Sequence, residues 1–322
     1  MDISKRAEQI NMILEDHLPK PPYSQGSIED AMNYSVMSGG KRLRGIMLLE
    51  AFRLYNSDKD LEKNLAWPFA ASMEFIHAYS LVHDDLPSMD NDMYRRGKLT
   101  THAKYGHAMG VLTGDALLNY AFETMTQAAS KLSKVRGEIA AELALRACRA
   151  MSVISQKAGF SGMIGGQVMD VCPQSPEEEP VSGKTVNTPA SADRSDLTGH
   201  IFKIYELKTS RLFQAAMCAG AILAGADDSQ IDALNDAGYF IGEAFQIRDD
   251  ILDATATFEQ LGKDIGSDEK NNKNTIAHLL GIEKAQQLVG EYLDKARAIF
   301  NEQPGNKEFF NELIDFLRLR EN

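Results

Sequence analysis

Between Glu74 and Gly97 the chain reads EFIHAYSLVHDDLPSMDNDMYRRG, which puts five acids and two arginines within one short stretch. Carboxylates repel one another, so such crowding needs cations to offset it. Carboxylate oxygens suit hard ions such as magnesium, which keeps several waters and is shared with substrate phosphates. Arginine forks match phosphate oxygens. The chemistry implied is a magnesium–diphosphate site. His77 and Asp84 are seven residues apart and share a helix face. Asp90 does not share it, because six residues rotate the direction by roughly 240°. A bend at Pro87 has to bring Asp90 back.

The acidic theme recurs once, in FQIRDDILD from Phe245 to Asp253. On a helix Gln246, Asp249, Asp250 and Asp253 fall on one stripe. A solvated acidic face is the plain alternative, but the flanking Phe245, Ile247, Ile251 and Leu252 are apolar and point to burial with a metal. Basic residues come in small groups: Lys41, Arg42 and Arg44 in SGGKRLRG, Arg95 and Arg96, Lys208 before Thr209, Lys263 in GKD, and Lys273. Glycines 39 and 40 let backbone approach a ligand closely. Together these cations could neutralise two diphosphates. His83–Asp84 also resembles the doublet of metal phosphohydrolases, but seven histidines include no matching pair for it.

Nearly every segment that carries these groups has helical period. Helices are expected over residues 2–17, 27–38, 43–56, 65–83, 107–130, 135–157, 160–171, 199–224, 229–253, 273–281, 283–301 and 306–318. Strand-like alternation is absent. The fold class is all-α, a helical bundle around a central cavity, in one domain spanning 1–322. Residues 173–196, rich in Pro, Ser, Thr and acid, bury almost nothing and read as a flexible inserted loop.

The chain has 322 residues, 43% of them hydrophobic, and a net charge of −12, which argues against a nucleic-acid partner. Three scattered cysteines fit a reducing compartment rather than a disulfide framework. No apolar leader opens the sequence and no apolar run spans a bilayer, so a cytoplasmic protein without a membrane anchor is expected.

GGKRLR, DDLPSMD, RRG, TGDAL (Thr113–Leu117), GGQVMD (Gly165–Asp170), KT and FQIRDDILD with GKD occur in this order over residues 39–275. In this the chain resembles the short-chain trans-prenyl diphosphate synthases, on the side of the bacterial farnesyl diphosphate synthases. The resemblance implies an isoprenoid-synthase bundle, a homodimer and three magnesium ions. It implies that Asp84 and Asp90, with Asp85 supporting, hold two ions on an allylic diphosphate, and that Asp249 holds the third, with Asp250 and Asp253 nearby. Arg95, Lys208, Gln246 and Lys263 would contact that diphosphate, with Lys273 a further candidate and Thr209 shaping the pocket. Lys41, Arg44, His77 and Arg96 would hold isopentenyl diphosphate. Tyr79 and Ser80, before the first motif, would limit the product, an aromatic there resembling the farnesyl-producing type. Ideal helix geometry places Tyr79 about 140° from Asp84, and a tyrosine packed between helices is the alternative. Departures from the pattern are Met93, Leu99, Ser210 and Arg211.

A terpene cyclase shares the fold and metal chemistry, but GGKRLR and the second acid cluster favour chain elongation. A non-catalytic partner subunit is a further alternative, kept open by Arg211, and within the family the resemblance leaves a geranylgeranyl diphosphate synthase as the alternative to the farnesyl type.

Overall fold

Apolar residues at helical spacing form helices throughout the computed structural model, which describes residues 3–133, 138–172, 194–255 and 275–319. In order these are α1 (Ile3–His17), α2 (Ile28–Val36), α3 (Leu43–Tyr55), the single turn α4 (Lys59–Leu61), α5 (Trp67–Asp84), α6 (Thr101–Tyr105), α7 (His107–Ser133) and α8 (Glu138–Ala158). Then come α9 (Met163–Val171), α10 (Arg194–Ile204), α11 (Arg211–Ala224), α12 (Asp228–Thr255), α13 (Ile276–Leu280), α14 (Ile282–Glu302) and α15 (Glu308–Leu319). Two wider π-helical turns, Glu62–Ala66 and Tyr205–Ser210, lead into α5 and α11. The all-α expectation holds, with one addition. Among the described residues β1 (Tyr94–Arg95) and β2 (Lys98–Leu99) form a two-stranded antiparallel ribbon. Strands this short carry no alternation to detect.

The chain divides into two compact units. Met1–Ile154, Ala216–Ile231 and Pro304–Asn306 form one; Ser155–Ala215, Asp232–Gln303 and Lys307–Asn322 form the other. In the first, α5 packs against α7, α3 and α1. Its Phe69, Met73, Phe75 and Ile76 have no exposed surface, and each such side chain contributes about 1.5–3 kcal/mol when removed from water. A helix apolar on all sides belongs in a core, and that core fixes where the polar C-terminal end of α5 lies. In the second unit Phe213 packs on Phe245, and Phe300 stacks on Phe310 with ring centres 4.1 Å apart.

Ser27 caps α2, its hydroxyl accepting from the Asp30 N–H at 3.3 Å. Boundaries differ in places: the helix expected over 199–224 is interrupted by the π-turn, and α10 begins at Arg194, inside the segment read as a loop. The last proline there is Pro189, and nothing after it bars a helix. Residues 173–193 lie outside the described part of the chain, as do Lys263 and Lys273.

Candidate active site

The first unit brings the acids of the opening stretch together through its backbone. Helix α5 ends at Asp84, with Asp85 as its cap. The chain then turns back on itself. The Leu86 N–H donates to the His83 carbonyl at 3.1 Å, Met89 to Leu86 at 2.9 Å, and Asp90 to Asp84 at 2.9 Å. Asn91 takes the left-handed conformation, φ 55°, which asparagine tolerates. The rotation that separates Asp84 from Asp90 on an ideal helix is therefore undone by one tight loop, and both side chains stay partly exposed. Asp85 is placed differently. It is buried, and its Oδ1 accepts from Arg95 Nε at 2.7 Å and pairs with Nη2 at 2.6 Å. Burial raises the Asp85 carboxyl above its usual range, and the Arg95 contact only partly offsets this. Asp85 thus orients Arg95.

Arg96 and Gly97 make the two-residue turn of the ribbon, with φ 54° and 73°. Two left-handed residues match a type I′ hairpin, where Asn-Gly is usual. An arginine in that position is strained, and its guanidinium is what the strain positions. Arg96 Nη1 donates to the Gly39 carbonyl, and a Cβ on Gly40 would lie 2.5 Å from the same nitrogen. Gly40 thus leaves room for the Arg96 guanidinium, and Gly39 accepts its hydrogen bond.

Arg42 is also left-handed, φ 53°. It braces the loop, donating to Asn11 Oδ1 at 2.9 Å and to the Val36 carbonyl at 2.7 Å. Buried Glu74 lies 3.8 Å from it and accepts from the Gly45 N–H at 2.9 Å. Neither bracing role was legible in the sequence.

These groups line a small cleft that includes Tyr34, Arg42, His77, Asp85, Arg95 and Arg96. Burial, then Arg44, Arg96, Arg95 and Arg42, hold the His77 imidazole well below its usual range. It is therefore neutral at physiological pH and can donate one N–H without adding charge. Four arginines around a neutral histidine give this part of the unit a positive field, the kind that suits an anion with several oxygens. Arg44 is half-buried and Lys41 exposed.

The second unit holds the other cluster. Lys208 Nζ pairs with Asp170 Oδ2 at 2.6 Å, a contact for the last acid of GGQVMD that motif order alone did not assign. Thr209 Oγ1 donates to Gln246 Oε1 at 2.8 Å, and Gln246 Nε2 to Asp250 Oδ1 at 3.1 Å. The Tyr205 hydroxyl donates to Asp250 and accepts from the Ile276 N–H at 3.2 Å. Asp250 is accordingly buried, while Asp249 and Asp253 remain half-exposed. Among the described residues no three His, Cys, Asp or Glu side chains form a ready-made metal cage.

Arg211 does not stand apart from this framework. Its backbone N–H bonds to the Glu206 carbonyl, and its guanidinium pairs with the Glu206 carboxylate at 2.5 Å. Both close the π-turn at the five-residue spacing that such a turn creates.

Close packing holds the π-turn from the other side. A Cβ on Gly166 would lie 2.4 Å from the Lys208 nitrogen. Gly166→Ala is expected to destabilise the protein by about 1–3 kcal/mol, seen as a lower denaturation midpoint. An unchanged midpoint would mean that α9 does not bear on the Lys208 backbone.

Tyr79 is 5% exposed, with its ring edge-on to His83 at 5.8 Å. Its hydroxyl has no hydrogen-bond partner among the described residues. Burial, with Asp84 adding to it, pushes that hydroxyl up to about 12.

The first unit thus carries a cationic cleft beside an aspartate loop, and the second a lysine–glutamine–aspartate cluster. Residues 25–314 match the polyprenyl synthetase family, and the chain belongs to that family, whose members are prenyltransferases that elongate prenyl chains. It is 36% identical to a farnesyl diphosphate synthase of Bacillus subtilis over 297 residues, 92% of this chain and 90% of the relative. It is also 36% identical to a geranylgeranyl diphosphate synthase of Cyanophora paradoxa over 288 residues, 88% and 85% of the two chains. A solved geranyltransferase from Helicobacter pylori, complexed with magnesium and isoprenyl diphosphate, superposes with a TM-score of 0.73 at 28% identity, covering 98% of this chain and 94% of that one. Among the described residues no helix is long and apolar enough to cross a membrane.

Proposed function

We propose that the chain, acting as a single catalytic domain, condenses isopentenyl diphosphate with dimethylallyl and then geranyl diphosphate, head to tail, giving farnesyl diphosphate in the cytoplasm as a magnesium-dependent homodimer. The observation that carries this is the return of Asp90 onto Asp84 beside a cleft of arginines around neutral His77. The donor set fits magnesium, which takes one or two carboxylates and completes its shell with water and phosphate oxygens. Asp84 and Asp90 would hold two ions and Asp249 a third, with Asp85 supporting through Arg95. When bound, magnesium supplies Lewis-acid stabilisation of the charge that develops on the leaving diphosphate.

The chain's own residues bind and orient. Arg95, Lys208, Gln246 and Lys263 engage the allylic diphosphate, with Lys273 assisting and Thr209 shaping the pocket. Arg95 keeps its pairing with Asp85 and Lys208 its pairing with Asp170, and their remaining N–H donors engage phosphate oxygens. Lys41, Arg44, His77 and Arg96 hold isopentenyl diphosphate. Carbon–oxygen ionisation leaves an allylic cation, the isopentenyl double bond attacks it, and a proton passes to the released diphosphate. Apolar helix faces around the tail exclude water, which would otherwise capture the cation.

The test supplies dimethylallyl and isopentenyl diphosphates with magnesium or with chelator, then separates the dephosphorylated alcohols. Farnesol that depends on magnesium is expected. Geranylgeraniol as main product would move the assignment to the longer-chain reading that the Cyanophora relative favours, cyclic hydrocarbon would indicate a cyclase, and no condensation would leave a partner subunit. Light scattering reads the dimer. Tyr79→Ala is expected to lengthen the product, because removing a buried aromatic deepens an apolar pocket. An unchanged alcohol profile would mean that Tyr79 is packing only.

A further inference from the structure

The turn that carries Lys208 and Thr209 is held by three side-chain hydrogen bonds to one face of α12. Tyr205 donates to Asp250, Thr209 to Gln246 at 2.8 Å, and Ser210 to Glu243 Oε1 at 2.8 Å. The acceptors are spaced i, i+3 and i+7, so they form a single stripe. A π-turn has poorer internal hydrogen bonding than an α-helix and persists where its surroundings fix it. Two of the three acceptors, Gln246 and Asp250, already belong to the acid cluster. Glu243 does not, although it has no exposed surface at all.

A carboxyl group in such a place is costly unless it has a partner, and its partner is the last residue of the turn. The contact is tight. A Cβ on Gly242 would lie 2.4 Å from Ser210 Cα, so Ser210 and α12 touch through backbone with no room for slippage.

We propose that Glu243 is a positioning residue for the Lys208–Thr209 pair, acting through Ser210 to hold the π-turn in the register that presents both side chains. This rests on the assignment of that pair to the allylic diphosphate given above. The chemistry of the acid agrees with it. Burial pushes the Glu243 carboxyl up to about 8; the Ser210 hydrogen bond lowers it, and Glu206 and Asp250 raise it further. At neutral pH it is an uncharged acceptor, which pins Ser210 without adding to the negative field of Asp250.

The experiment is steady-state kinetics on the full chain, varying geranyl diphosphate at saturating isopentenyl diphosphate and the reverse. Glu243→Leu and Ser210→Ala each remove one partner, and each is expected to raise the geranyl diphosphate KM about tenfold, the effect of one lost buried hydrogen bond. The isopentenyl diphosphate KM should stay within about twofold. Glu243→Gln, which still accepts from Ser210, should restore the geranyl diphosphate KM. The assignment is overturned if that KM stays normal in both partner-removing variants, if both KM values rise together, or if glutamine fails to restore it. Should Glu243→Leu not fold, Ser210→Ala poses the same question at a small change of volume. Lys208→Ala is run beside them. A normal geranyl diphosphate KM there would remove the allylic assignment itself, whereas a raised value there with normal values in the Glu243 and Ser210 variants removes Glu243 alone.

Discussion

Asp84→Ala is expected to lower kcat about a thousandfold or more, since holding a metal on the leaving group supplies several kcal/mol at roughly 1.4 kcal/mol per decade. The fold should survive. Asp84 is partly exposed, and the hydrogen bond that closes the loop runs from the Asp90 N–H to the Asp84 backbone carbonyl, which alanine keeps. Asp85→Ala should behave in the opposite sense. It removes the buried partner of Arg95, and a broken buried pair destabilises by roughly 3–5 kcal/mol, less here because the Arg95 side chain is 31% exposed. Kinetics and thermal melts on the two variants check this. Asp84→Ala with kcat within tenfold of the parent would end the metal-holding role given to that residue.

Glu243→Gln is expected to change how stability depends on pH. The carboxyl rises from an unfolded value of 4.5 to about 8 in the fold. Below 4.5 it is protonated in both states and makes no difference. Between 4.5 and 8 the unfolded chain gives up the proton while the folded one keeps it, so stability falls as pH rises, at about 1.4 kcal/mol per unit. Above 8 the full penalty of roughly 4–5 kcal/mol is present. Glutamine cannot titrate. The variant should therefore match the parent near pH 5 and exceed it increasingly towards pH 9, read from urea midpoints at matched pH. A difference that does not vary with pH would show that Glu243 ionises normally in the folded protein.

Which near neighbours share a face of a regular helix was legible beforehand. The apolar periodicity of α5 and α12, the Ser27 cap and the stripe from Gln246 to Asp253 are local patterns. Spacing of three, four or seven residues fixes which side chains share a face. The motif order likewise pointed to the family that residues 25–314 match. Helical spacing put the three acids of α12 on one stripe but did not say which of them is enclosed. Tyr205 and Gln246 enclose Asp250, whereas Asp249 and Asp253 stay half-exposed. Burial depends on what packs against a helix, and that neighbour comes from elsewhere in the chain.

The amino-acid order by itself determined the helical class, the two acid clusters and the cations placed near them, because residue type and helical phase are properties of short segments. Only the tertiary structure decided that Asp90 folds back on Asp84, that Gly39 and Gly40 receive Arg96, that Asp170 meets Lys208, and that Ser210 rests on Glu243. The last three join residues 33 to 57 positions apart. Closing contacts over such spans costs chain entropy that core packing must offset, and no local pattern records which closure wins.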